Sequence, residues 1–84
     1  MFCAIYKSRR RQDAYLYLAR KEEFAGVPET LLNMLGQLAH VMDLELTPER
    51  RLAHEDVSVV ISHLREQGWY LQLPLSHGQQ GRLQ

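Results

Sequence analysis

Residues 2–7 (Phe-Cys-Ala-Ile-Tyr-Lys) and 14–19 (Ala-Tyr-Leu-Tyr-Leu-Ala) are short apolar runs rich in aromatic and aliphatic residues, and successive side chains in each would alternate between two faces. A period of two is the mark of an extended strand, and the polar stretch 8–13 between the runs has the length and character of a hairpin turn. In the second run Tyr15 and Tyr17 point one way and Leu16 and Leu18 the other. In the first, Phe2, Ala4 and Tyr6 oppose Cys3 and Ile5. Both faces of both strands are therefore largely apolar, which predicts a sheet covered on each side.

Pro28 and Glu29 then open a short helix over 28–35, with an apolar stripe of Leu31, Leu32 and Leu35 and a terminating Gly36. Residues 38–46 alternate once more and read as a third strand, with Leu38, His40, Met42, Leu44 and Leu46 on one face. Val57, Val60, Ile61 and Leu64 follow the i, i+3, i+4, i+7 spacing of an amphipathic helix over 55–67, which Gly68 ends. Trp69 to Leu73 gives a last strand, stopped by Pro74. The order is ββαβαβ. The fold class expected is α/β: one small α/β/α sandwich, a mixed four-stranded sheet with a helix on each face. Residues 1–75 form the domain, and 76–84, poor in apolar residues, form a flexible tail.

Size sharpens this reading. At 84 residues the chain holds one domain, and its single cysteine rules out an internal disulfide. Without such a staple, both sheet faces are needed to build enough core. One cysteine suits a reducing, cytoplasmic setting. The N-terminal run lacks the order and length of a secretory signal, and no apolar stretch approaches a membrane span.

The segments Phe2-Cys3-Ala4-Ile5-Tyr6-Lys7, Tyr15-Leu16-Tyr17, Phe24 with Val27-Pro28, and above all Glu66-Gln67-Gly68-Trp69-Tyr70-Leu71-Gln72-Leu73-Pro74 resemble the YcgL family of small gammaproteobacterial proteins. The resemblance runs from about residue 2 to 74. It implies a small cytoplasmic α/β/α domain, and it brings no catalytic residues, because the family has no established activity.

Ten basic and ten acidic residues cancel to a formal net charge of zero, which excludes a protein that coats polyanions by bulk charge. The charges are unevenly placed. Lys7, Arg9, Arg10 and Arg11 put four cations within five residues at the hairpin turn. Read functionally, they are candidate contacts for a protein partner or for the phosphates of RNA or a nucleotide. Read structurally, they are a solvated turn that protects a sheet edge from aggregation. Tyr15 and Tyr17 could stack bases only on an uncovered sheet face, which the two-sided core argues against.

His40, His54, His63 and His77 show no metal-ligand spacing, and no metal or other cofactor is expected. His40 is expected either to turn inward onto a backbone partner or to mark a different strand register. Cys3 lies mid-strand without a local base and reads as a buried structural thiol. Of Trp69 and Tyr70, one should enter the core and the other face outward or to a partner. The expectation is a non-enzymatic interaction domain with an unidentified protein partner. It has no membrane contact and is a monomer or weak homo-oligomer; the alternative is weak RNA or nucleotide-phosphate binding through the turn at 7–11.

Overall fold

The first two strands pair as the alternation requires. In the computed structural model, which describes residues 1–52 and 55–73, β1 (Phe2–Ser8) and β2 (Tyr15–Leu18) form an antiparallel hairpin. They are followed by α1 (Glu29–Leu35), β3 (Leu38–Glu45), α2 (Val57–Gln67) and β4 (Trp69–Gln72). The expected tail at 76–84, with Pro74, His54 and His77, lies outside the described residues.

The four strands lie in the order β3-β1-β2-β4, and every neighbouring pair is antiparallel. The expected mixed sheet is thus corrected. The connection through α1 does join two strands that run the same way, as a crossover should. However, β3 docks on the far side of β1, so β1 separates it from β2 and no parallel pair forms. The connection through α2 then carries the chain from one sheet edge to the other.

Strand parity divides the core. Cys3, Ile5 and Tyr17 share one cluster with Leu46 and with Val57, Val60 and Leu64 of α2. Ala4, Tyr6, Leu16 and Leu18 share a second cluster with Val27 and with Leu35 of α1. Trp69 packs against the second cluster and Tyr70 against the first, and both are half-buried. Neither ring faces outward, because each covers the flank of a different core.

Two boundaries move for local reasons. Asp56 caps α2 in an extended conformation, its carboxylate accepting from Ser58 N at 2.9 Å, so the helix starts at Val57 rather than residue 55. Glu55 is left outside the helix. In β3 the pairing slips: Ile5 opposes Met42, but Tyr6 opposes His40, leaving Val41 as an extra residue. This is a β-bulge, and it reverses the alternation. Leu38 and His40 therefore lie with Ser8 and Tyr6 on the α1 face, while Met42 and Leu44 lie with Ile5 and Cys3 on the α2 face. The single apolar face expected for residues 38–46 is split in two. His40 is exposed and meets the Asp43 carboxylate at 2.9 Å, not an inward backbone group.

Candidate functional site

The basic turn is organised by Ser8. This residue ends β1 on the α1 face and is 2% exposed. Its hydroxyl donates to Leu35 O at 2.6 Å, one of the carbonyls left unpaired at the end of α1. The same oxygen accepts from Arg10 N at 3.2 Å and Arg11 N at 2.9 Å. Arg9 N donates to Gln37 O at 2.9 Å, and Ser8 N to Ala14 O at 3.0 Å. Asp13 takes a left-handed conformation (φ 63°) that closes the turn, which a short polar side chain tolerates best.

The four cations do not act alike. Arg10 folds back over Gly36, and its Nη1 donates to Asn33 O at 2.7 Å. It thereby supplies the positive charge that a helix C-terminus favours, which α1 lacks in its own last turn. Gly36 has φ 69°, and a Cβ there would lie 3.1 Å from Arg10 Nε, so glycine suits both the cap and the arginine above it. Lys7 belongs to the other sheet face, between Tyr15 and Ala39. Arg9 and Arg11 are exposed, and among the described residues neither they nor Lys7 pairs with a carboxylate. Arg10, Arg11, Gln12 and Met34 line a shallow depression beside the turn. The structure therefore leaves Arg9 and Arg11 exposed on the turn, assigns Arg10 to α1, and turns Lys7 to the opposite face.

Sequence reasoning missed a second cluster, under α2. Tyr17 opposes Tyr70 across the β2–β4 pair, and their rings meet edge to face at 5.9 Å. Tyr70 donates to the Glu55 carboxylate, Tyr17 to Gln72 Oε1 at 2.7 Å, and the His63 ring packs on Tyr70 at 5.3 Å. Only the pairing of β2 with β4, which joins Tyr17 to Gln72 across a separation of 55 residues, brings the two tyrosines together, and no local motif encodes it. Tyr17 and Tyr6 are buried on opposite faces, so no aromatic platform for bases exists in this region.

The chemistry of Cys3, Tyr17 and Tyr70 is that of side chains held neutral, the first two buried and the third half-buried. Burial first, and then the Asp43 charge, pushes the Cys3 thiol up to about 11. Burial pushes the Tyr17 phenol up to about 12, and burial followed by the Glu55 hydrogen bond does the same for Tyr70. None is poised for proton transfer near neutral pH. Among the described residues no three of His, Cys, Asp and Glu converge to hold a metal ion, and no helix is long and apolar enough to cross a membrane.

These shifts give an alkaline limit to stability. All three groups have folded-state values above their ordinary values of 9.0, 10.0 and 10.0, so folding favours their neutral forms. Their contribution is complete below about pH 9 and is lost as pH rises through about 11 to 12. The melting temperature should be flat from pH 7 to 9 and fall steeply beyond. Cys3 should also resist thiol reagents at pH 8 until denaturant is added. Reaction of the native protein at the rate of a free thiol would contradict its burial.

The YcgL domain family matches residues 3–75. A YcgL domain-containing protein of Azotobacter vinelandii is 51% identical over 72 residues, covering 86% of this chain and 74% of that one. One from Thioalkalivibrio sulfidiphilus is 49% identical over 70 residues, covering 83% and 86%. One from Pseudomonas aeruginosa PAO1 is 49% identical over 72 residues, covering 86% and 74%. With nearly every element of the sheet and both helices inside the matched span, the chain belongs to the YcgL domain family.

Proposed function

We propose that this YcgL domain is a non-catalytic, cytoplasmic interaction module whose hairpin turn docks on an acidic surface of a protein partner. The observation that carries the reading is the position of Arg9 and Arg11. They stand exposed, without carboxylate partners among the described residues, on a turn fixed to α1 through Ser8. A turn whose backbone is already held in place loses less conformational freedom on binding than a mobile one, and the planar forks of arginine suit carboxylates. The burial of Cys3 and Tyr17, and the raised pKa values of Cys3, Tyr17 and the half-buried Tyr70, support the absence of catalysis.

The structure also refines the variant that tests this reading. Removing Arg10 would disturb the end of α1, so the informative change is R9E/R11E with Arg10 kept. An Asp/Glu-rich peptide should bind the wild-type chain, and R9E/R11E should weaken it by about tenfold or more without moving the melting temperature. Fluorescence anisotropy across a salt series measures this. Equal binding by the variant would overturn the docking role. A single-stranded RNA that binds far more tightly than the peptide, with a steep salt dependence, would replace the protein partner with a phosphate ligand.

A further inference from the structure

The two edges of the sheet differ. β4 is four residues long, and the Gln67 side chain already donates to its Trp69 O at 2.9 Å. β3 is eight residues long, and no strand among the described residues pairs with its outer side. At its centre Val41 is 50% exposed and Met42 45% exposed, an adjacent apolar pair on an open edge.

We propose that β3 is the pairing edge for a second copy of this chain, joined antiparallel about a two-fold axis between Val41 and Met42. Residues opposed across an antiparallel pair must lie on the same face. In a regular strand meeting its own copy about this axis, opposed residues would fall on opposite faces. The bulge at Val41 removes that conflict. His40 and Asp43 both lie on the α1 face, opposite Tyr6 and Ala4 of β1. Ala39 and Leu44 both lie on the α2 face, opposite Lys7 and Cys3, and Leu38 and Glu45 again share the α1 face, opposite Ser8 and Phe2. With the axis between Val41 and Met42, His40 opposes Asp43 of the second copy, Ala39 opposes Leu44, and Leu38 opposes Glu45. Every pair is matched in face, and each extra Val41 falls at the axis, outside both three-residue ladders.

Hydrogen bonding favours the same register. His40 and Asp43 already meet within one chain at 2.9 Å, and the symmetric pairing places two of each in one alternating cluster. The exposed Val41 and Met42 cover one another at the centre. A formal net charge of zero leaves little long-range repulsion between copies. A bulge commonly spoils an edge for foreign strands; here it selects the one strand that carries the same bulge. The contact is a single edge, so the dimer is weak, below the area of a permanent interface. This surface is independent of the arginine pair at the turn.

Sedimentation equilibrium of the full chain from about 10 μM to about 1 mM should fit a monomer–dimer equilibrium, the range expected for so small an interface. Amide shifts on dilution should concentrate at residues 38–45. H40D, which sets carboxylates against each other twice, should raise the dissociation constant about tenfold. The exchanged variant H40D/D43H should recover most of that loss. V41K, which leaves the His40 ring on Tyr6, should weaken the dimer as well, and circular dichroism confirms that each variant is folded. A monomer at every concentration, a dimer indifferent to both H40D and V41K, or dilution shifts centred on β4 would each overturn the proposal.

Discussion

Replacing Leu16 by alanine is expected to bring the protein close to unfolding at physiological temperature. Leu16 is fully buried in the second strand of the sheet, between Tyr6 on one side and Leu71 on the other. It packs in the cluster that α1 closes with Leu35. Truncating such a side chain removes its transfer free energy and leaves a cavity, together about 2–5 kcal/mol. A single domain of this length has roughly 4–13 kcal/mol in all. The melting temperature should fall by about 8–40 °C, at about 4–8 °C per kcal/mol for a domain of this size. Denaturant unfolding should show a lower midpoint with an unchanged slope, since the surface exposed on unfolding is nearly the same. V59A is the control, because Val59 is 42% exposed on α2 and its loss should cost under about 0.5 kcal/mol. Equal melting temperatures for L16A and the wild type would mean that the α1-side cluster is not a packed core.

The residues that show themselves in sequence are those whose environment is set by near neighbours. β1 and β2 are legible as short continuous apolar runs because both of their faces are covered, and Val57, Val60 and Leu64 reveal α2 because one helical stripe meets one core. What the sequence leaves open is set by long-range partners. Nothing between Leu18 and Leu38 states that β3 will pass over to the far side of β1, and that step alone decides between a mixed and an antiparallel sheet. Val41 and Met42 are both apolar, so the reversal of the alternation between them leaves no polar signal. Glu55 reads as a helix-start residue until Asp56 is seen to hold the cap. The candidate site divides in the same way. Four cations in five residues are plain in the sequence, but the claim of α1 on Arg10 is a contact with Asn33, 23 residues away, and only the folded chain contains it.

Ser8→Ala should be the more damaging of the substitutions at the turn, although it deletes one oxygen and no charge. That oxygen makes three hydrogen bonds, to Leu35 O, Arg10 N and Arg11 N. Without it, Leu35 O is left at a buried position with no donor, and the two amides must find water at a half-buried turn. One buried unsatisfied carbonyl costs about 1–3 kcal/mol, and the two lost amide bonds, at about 0.5–1.5 kcal/mol each, bring the total to about 2–6 kcal/mol. R10A, by comparison, breaks one exposed hydrogen bond to Asn33 O and should cost about 1 kcal/mol or less. The order of effects is therefore opposite to the order of charge removed. Hydrogen exchange distinguishes the two: in S8A the Arg10 and Arg11 amides should lose protection, whereas R10A should leave them protected. If the turn docks an acidic partner through Arg9 and Arg11, S8A should also weaken that binding several-fold with every arginine in place, because the pair must then be ordered on contact. S8A as stable as the wild type, with both amides still protected, would show that water replaces the hydroxyl at no cost and that the turn is not held by Ser8.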